Sequence, residues 1–246
     1  MNSILIFYIG CCLGSFAYCF SLDWVNQNIN IRRRSTCDHC HTTLNLLDLM
    51  PIFSQLVSLF HCRYCRKATS IFYIVAEVSS GVIFLLTFSL FPDTHSLFIV
   101  LFTLTVLLMT FCDIHAMYIP DLLQFFLLAL CLYYLVISSY TPSQQIILAI
   151  CTFSSLIFLS MLRPNSIGGA DIKLLTILSL CIPITEFPLF LFFSSSSALI
   201  YLGLRWIYTQ KFYRPIPFIP FIFIKQLNVL CNNDATSFSF RQLSPI

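Results

Sequence analysis

The stretch LFIVLFTLTVLLMTFC at residues 97–112 contains no charged side chain and runs directly into Asp113. A helix needs about 20 apolar residues to cross the hydrocarbon of a bilayer, with a usual range of ~17–25. Comparable apolar runs lie on both sides of it, at roughly 3–22, 71–91, 122–138, 145–162, 172–184, 188–207 and 217–231. The sequence therefore predicts an all-α polytopic membrane protein with seven to eight transmembrane helices, of which the run at 217–231 is the weakest.

The composition agrees with residence in a lipid bilayer. Only 9% of the 246 residues are charged and 58% are hydrophobic, with a mean hydropathy of +0.87. Soluble domains carry about 25% charged residues, so this chain lacks the polar surface that water requires. The net charge of +3 is small and gives no indication of a nucleic-acid partner. The lipid bilayer is the expected surrounding, and no nucleic acid is expected.

Lysine and arginine residues are distributed unevenly over the loops. The loop at 23–70 contains Arg32, Arg33, Arg34, Arg63, Arg66 and Lys67, whereas the loops near 92–96, 139–144 and 185–187 contain no Lys or Arg. Because basic loops stay in the cytoplasm, we expect an inner (cytoplasmic) membrane protein with its N-terminus outside and its first span retained. The predicted regions are a first helix at 1–22, a cytoplasmic loop at 23–70 and a membrane-embedded domain at 71–246.

Two C-x-x-C pairs stand in the long basic loop. Cys37 and Cys40 are followed, after twenty-one residues, by Cys62 and Cys65. This spacing is typical of a zinc knuckle, in which each pair closes half of a tetrahedron and leaves no open position for catalysis. A mixed site with His39, His41 or His61 in place of one cysteine, or four unrelated thiols, are the alternatives. The other eight cysteines lie in or beside apolar runs, where a thiol packs as a small hydrophobe.

Two carboxylates interrupt or border the apolar runs. Asp113 ends one run and Asp171 opens another, 58 positions later, and the predicted topology places both on the cytoplasmic side. Ionisable groups at such depth are costly and are often functional. Two carboxylates in a poorly solvated site share one proton, so one can activate water while the other polarises a carbonyl. The alternatives are interfacial or helix-capping roles, with Asp171 paired to Lys173, and a helix N-terminus is the preferred role for Asp121.

Several motifs occur in order along the chain and resemble those of bacterial type IV prepilin peptidases. The N-terminal half of that family is matched by GSF at 14–16, the paired C-x-x-C loop, LDLMP at 47–51 and Glu77. Its two active-site motifs are matched by DIHAMYIPD at 113–121 and by GGAD at 168–171, where Ala170 replaces the second glycine of GxGD. A late signature is matched by IPFIPF at 216–221, and the compact chain is similar to the competence-type members.

The resemblance implies a GxGD-type intramembrane aspartyl peptidase. Such an enzyme cleaves the leader of prepilins or pseudopilins at the cytoplasmic face, for pilus assembly, protein secretion or competence, and here its catalytic pair would be Asp113 and Asp171. It also allows a methyltransferase activity that uses S-adenosylmethionine to modify the new N-terminus, with Glu77 as a substrate or methylation residue. The segment linked to methylation reads AYCFSLDWVN at 17–26 and departs from the family's asparagine and arginine-proline pattern.

Two other functions are compatible with an apolar, cysteine-bearing chain. One is a non-catalytic membrane subunit of a pilus or secretion machine, and the other is a metal-handling membrane protein. A transporter would carry more ionisable residues within its spans and an inverted repeat, and the sequence has neither. The presence of both aspartates favours the peptidase over a silent relative. His115 and Tyr118, close to Asp113, are expected to be interfacial anchors rather than catalysts.

Overall fold

The computed structural model describes residues 2–25, 34–37, 39–90, 96–137, 141–163, 167–209 and residue 219. Its helices are α1 (Ser3–Val25), a short 3₁₀ helix (Leu46–Leu49), α2 (Phe53–Val57), α3 (Phe72–Leu90), α4 (Ser96–Ala116), α5 (Asp121–Ile137), α6 (Pro142–Leu162), α7 (Gly169–Ser179) and α8 (Phe187–Thr209). Within these residues the only β-structure consists of the isolated bridges Thr36–Thr43 and His61–Ala68. The all-α prediction is confirmed, and the predicted run at 217–231 lies outside the described residues apart from Ile219.

Five of the described helices, namely α1, α3, α4, α6 and α8, are long and apolar enough to cross a membrane. They match the predicted runs at 3–22, 71–91, 97–112, 145–162 and 188–207, so the chain is a multi-pass membrane protein. The apolar helix α5 has 17 residues, near the lower limit for a span. The predicted run at 172–184 forms the shorter helix α7, whose 11 residues reach only ~16 Å, about half of the hydrocarbon thickness.

The packing of α1 on α3 depends on glycines at the contact. A Cβ atom at Gly10 would lie 2.6 Å from Cβ of Phe84, and one at Gly14 would overlap the side chain of Ser80. On α3, a Cβ atom at Gly81 would lie 2.5 Å from Sγ of Cys11. Small residues at such contacts let membrane helices approach closely, where van der Waals packing replaces the hydrophobic effect. The GSF motif therefore begins with a glycine that this helix pair requires.

The chain divides into two compact units, Met1–Phe111 and Cys112–Ile246. The first unit contains the α1–α3 pair and the cysteine loop. In the second unit the short helix α7 packs against α5 and α6. The boundary falls inside α4, so Asp113 and Asp171 both belong to the second unit.

Candidate active site and metal centre

Asp113 lies in the last turn of α4. The sequence predicted that this helix ends at residue 112, but the helix continues to Ala116 and therefore includes the carboxylate. Only 6% of Asp113 is exposed. Its Oδ2 accepts a hydrogen bond of 3.1 Å from the backbone N–H of Ile219, a residue of the IPFIPF segment that stands 106 positions away. The late motif thus supplies a donor to the first aspartate.

Asp171 is the third residue of α7 and lies outside the five helices that are long enough to cross a membrane. Its carboxylate folds back over Gly168, the residue before the helix, so that a Cβ atom built there would lie 3.1 Å from Oδ2 of Asp171. At Gly169, by contrast, a Cβ atom would meet nothing within 4 Å. Of the two glycines before Asp171, only Gly168 therefore lies in close contact with its carboxylate.

The two aspartates interact electrostatically. Burial raises the pKa of Asp171 to about 6, and the negative charge of Asp113 contributes to the rise. A carboxylate with a like charge beside it and little water around it retains its proton more strongly than usual. The structure therefore places the two predicted residues in one unit, with Asp113 buried and Asp171 half-buried, and the charge of Asp113 favours the protonated form of Asp171.

Lys173 does not pair with Asp171, although it is only two positions away. Its Nζ donates a hydrogen bond of 2.8 Å to Oδ1 of Asp121, and both side chains are exposed. Asp121 is the first residue of α5, so the helix N-terminus expected for it is confirmed. An exposed ion pair of this kind contributes little to stability. Its position outside the buried pair makes Asp121 a suitable control for substitutions of the two aspartates.

Two buried glutamines hold the ends of α7, and sequence reasoning missed both of them. Gln124 of α5 donates from Nε2 to the backbone oxygen of Ala170, the residue next to Asp171, at 3.4 Å. Gln145 of α6, with its amide nitrogen turned toward α7, lies 3.1 Å from the backbone oxygen of Ser179 and 2.9 Å from that of Ile182. The last carbonyls of a helix have no intrahelical donor, and in an apolar environment a side chain such as Gln145 must supply one. The carbonyl of Ala170, in the first turn, accepts the bond from Gln124 in addition to its helical one. A polar amide within an apolar run was the available signal.

We expect Gly168→Ala to slow catalysis and Gly169→Ala to leave it near the wild-type rate. The methyl group at position 168 would push the carboxylate of Asp171 by a few tenths of an ångström, and a misplacement of ~1 Å can cost about 100-fold in rate. A loss of about tenfold is therefore expected for Gly168→Ala, measured as kcat/KM for peptide cleavage. Equal rates in the two variants would contradict the close approach over Gly168.

We expect Gln145→Met to lower stability more than Gln124→Met, and Gln124→Met to be the variant that changes activity. Gln145→Met leaves buried carbonyl groups at the end of α7 without a donor, which costs ~1–3 kcal/mol, whereas the carbonyl of Ala170 lies in the first turn of the helix and keeps an intrahelical N–H donor. Only Gln124 acts on the peptide beside Asp171, so Gln124→Met should also shift the pH dependence of kcat/KM, whereas Gln145→Met should leave it unchanged. Thermal unfolding and pH–rate profiles of the two variants measure this, and identical pH profiles would show that Gln124 has no positioning role.

The four predicted metal ligands lie together. The sulfur atoms of Cys37, Cys40, Cys62 and Cys65 are all within 4.8 Å of one another, and in the part of the chain that the structure describes this group includes no histidine. Sγ of Cys37 is 3.9 Å from Sγ of Cys65. Tetrahedral zinc with Zn–S bonds of ~2.3 Å requires sulfur atoms about 3.8 Å apart. The geometry fits a metal held by four thiolates.

The two C-x-x-C turns repeat one backbone geometry. The N–H of the first cysteine bonds the carbonyl five residues later, from Cys37 to Thr42 at 3.0 Å and from Cys62 to Lys67 at 2.8 Å. The residue after the second cysteine has a left-handed backbone, with φ of 55° at His41 and 54° at Arg66. This conformation is unusual for residues other than glycine. Its recurrence at equivalent positions shows that both turns are shaped to present a thiol pair.

Glu77, a buried residue of α3, contacts two of the N-terminal motifs. Its Oε1 accepts a hydrogen bond of 2.8 Å from Oγ of Ser15, within GSF. Its Oε2 accepts one of 2.7 Å from the N–H of Ile52, directly after LDLMP, and one of 3.5 Å from Gln55. With three donors on two oxygens, the carboxylate is occupied within its own unit. The contacts favour a role in holding the loop over the expected role in binding substrate.

The fold and the site define a class of protein: a multi-pass helical membrane protein with a pair of interacting carboxylates and a group of four cysteines that could hold a metal ion. Two family models match the chain, the Bacterial Peptidase A24 N-terminal domain at residues 8–91 and the Type IV leader peptidase family at residues 99–203. The chain belongs to the type IV leader peptidase family.

Curated relatives are similar over most of the chain. A prepilin leader peptidase/N-methyltransferase of Bacillus subtilis (strain 168) is 28% identical over 228 residues, which cover 89% of each protein. Its counterpart in Vibrio cholerae is 28% identical over 194 residues, covering 76% of this chain and 75% of the relative. That of Aeromonas salmonicida (strain A449) is 28% identical over 199 residues, covering 78% and 68%. No solved structure matches the chain.

Proposed function

We propose that this chain is a prepilin leader peptidase, an aspartic endopeptidase that removes the leader of type IV prepilins or pseudopilins at the cytoplasmic face of the inner membrane. The observation that carries the proposal is the electrostatic interaction between the buried carboxylate of Asp113 and the half-buried carboxylate of Asp171. Family membership and the names of the relatives support the substrate class. The basic loop at 23–70 supports the cytoplasmic placement of the site.

The two aspartates have different roles in hydrolysis, one as general base and the other as general acid. The N–H of Ile219 stabilises negative charge on Asp113, and burial beside a like charge raises the pKa of Asp171 to about 6, which makes Asp171 the member of the pair proposed to carry the proton. Asp113 therefore takes a proton from water as the water oxygen attacks the scissile carbonyl carbon, while Asp171 donates its proton to the carbonyl oxygen. When the tetrahedral intermediate collapses, the proton on Asp113 passes to the leaving nitrogen and the new carboxyl group returns one to Asp171. The region proposed to carry this chemistry is the membrane-embedded domain at 71–246.

Zinc is the metal proposed for the cysteine centre, with Cys37, Cys40, Cys62 and Cys65 as its ligands. Four thiolates complete a tetrahedron, so the ion would supply structure to the loop and take no part in peptide hydrolysis. N-methylation of the new N-terminus with S-adenosylmethionine is proposed as a second activity. It rests on the relatives, which are named prepilin leader peptidase/N-methyltransferase.

Cleavage of a purified prepilin in detergent tests the proposal. We expect the protein to release the basic leader as one fragment, with the cut before the hydrophobic stalk, as identified by mass spectrometry of both products. Asp121→Asn, which breaks only the exposed pair with Lys173, should cleave at the wild-type rate. A prepilin that binds but stays intact would instead indicate the non-catalytic subunit of a pilus or secretion machine.

A further inference from the structure

The segment at 46–59, which contains the 3₁₀ helix and α2, exposes most of its large apolar side chains. Leu46 is 85% exposed and Leu59 is 74% exposed. Six further residues between them are also exposed, namely Leu47, Leu49, Met50, Phe53, Leu56 and Val57. We call these eight residues the apolar face. Contiguous exposed apolar surface of this kind marks a site of interaction with a protein or a membrane.

The polar groups of the same segment point inward. Only 12% of the Asp48 side chain is exposed, and its Oδ2 accepts hydrogen bonds from the N–H of Asn45 and from the hydroxyl of Tyr64. Its Oδ1 also lies 3.4 Å from Arg63. The N–H of Ile52 is directed at Glu77. The segment therefore has the reverse of the arrangement expected at a surface in water, because its carboxylate is covered while its leucines are exposed.

A strained turn holds this orientation in place. Ile52 has φ 62° and ψ −52°, and the N–H of Phe53 bonds the carbonyl of Pro51 at 2.6 Å. These values describe a classic γ-turn, which is rare and costs ~1–3 kcal/mol for a residue with a side chain. The turn joins the 3₁₀ helix to α2, and the two helices pack on each other. Glu77, by accepting the N–H of Ile52, holds the turn against α3.

The anchor residues place the turn at membrane depth. Glu77 is the sixth residue of α3, so it lies ~7.5 Å along the axis from the first residue of that helix. Ser15, which shares the same carboxylate, lies ten residues before the end of α1, or ~15 Å. Both helices are long and apolar enough to cross the bilayer. The N–H of Ile52, which is bonded to Glu77, is therefore held within the length of α3 and so within the thickness of the bilayer that α3 can cross.

We propose that the apolar face inserts into the bilayer interface beside α1 and α3, so that the loop bearing the metal centre rests on the membrane rather than in water. An interfacial segment buries its apolar face ~5–10 Å into the boundary between headgroups and acyl chains, with basic residues beside anionic lipid. Arg66 and Lys67 are exposed close by in the second C-x-x-C turn and carry the matching charge. The partner of this surface is therefore the lipid of the leaflet at which α1 ends and α3 begins.

Brominated-lipid quenching of single tryptophans tests the proposal in the full-length protein. Trp24 and Trp206 are replaced by phenylalanine, and Leu47→Trp or Leu56→Trp is introduced in vesicles of phosphatidylcholine and phosphatidylglycerol. We expect bromine near the headgroups to quench both tryptophans at least twofold. Thr43→Trp, on the exposed first C-x-x-C turn, is the control and should keep the emission of a tryptophan in water. Two probe positions guard against one variant that fails to fold.

Two results would overturn the proposal. Emission at positions 47 and 56 that is unquenched and as red as that of the Thr43→Trp control would show that the apolar face lies in water. Quenching and a blue shift that develop only after a prepilin is added would assign the surface to the apolar stalk of the substrate. Because the measurement contains no cleavage step, its outcome is independent of the proposed peptidase activity.

Discussion

Asp171→Asn is expected to lower the rate of leader cleavage by at least about 10³-fold while leaving the folded protein no less stable. The loss follows from removing the proton donor of a pair that acts as a unit, where single replacements remove most of the catalysis. The retained stability follows from the burial of a group that resists ionisation, since Asn keeps the shape without the charge. Processing of a prepilin measures the first effect and thermal unfolding measures the second.

The pH dependence of stability gives this prediction a second readout. Aspartate titrates near 3.8 in an unfolded chain, whereas burial and Asp113 raise the pKa of Asp171 to about 6 in the folded protein. Between these values the folded state binds more protons than the unfolded state, so this group lowers the free energy of unfolding as pH rises from about 4 to about 6. Asp171→Asn should therefore gain stability relative to wild type at pH 7 and lose that advantage at pH 4. An equal difference at both pH values would contradict the raised pKa.

Cys37→Ser is expected to remove the metal and to loosen the loop at 34–71. Wild-type protein should contain about one equivalent of zinc, and the variant less than about one tenth, because binding by four thiolates supplies folding free energy that three ligands cannot replace. Limited proteolysis should then cut the loop in the variant and leave it intact in the wild type. Metal analysis and peptide mapping of the purified proteins measure both changes.

Cys151→Ser provides the matched control for the metal prediction. This exposed cysteine lies on α6 and is not a member of the four-thiol group, so its replacement should keep both the metal content and the protease resistance of the wild type. Metal retained in Cys37→Ser would mean that another side chain completes the site. If the wild-type protein also contained no metal, the proposal of a structural zinc ion would be wrong.

The sequence predicted the five described helices that are long enough to cross a membrane, and apolar runs at α5 and α7, because uncharged runs of sufficient length have few alternatives to a membrane helix. It placed the end of α4 too early, because Asp113 and His115 are polar residues that follow an apolar run. In the structure the helix includes both, and the carboxylate of Asp113 accepts a hydrogen bond from the N–H of Ile219. The predicted run at 172–184 differs in the opposite sense, because α7 ends at Ser179, before the run does. Pro183 follows α7, and Gln145 satisfies the carbonyls where that helix ends.

The aspartates and cysteines of the site could be predicted from the sequence. The glutamine side chains that contact α7 could not. Aspartates and paired cysteines are rare in such a chain, and their chemistry restricts what they can do. Gln124 and Gln145 each look like one polar residue in an apolar run, and only the neighbouring helix shows which carbonyl they satisfy. The role of Glu77 was equally hidden, because its three donors, from Ser15, Ile52 and Gln55, are all distant from Glu77 in the sequence.

The most direct test of the central claim is the cleavage rate of one prepilin by Asp113→Asn, by Asp171→Asn and by the protein that carries both substitutions. If the two carboxylates act as one proton-sharing pair, each single variant should lose at least about 10³-fold and the double variant should be no slower than either. Either single variant retaining a tenth of the wild-type rate, or a double variant slower by the product of the two losses, would contradict the account.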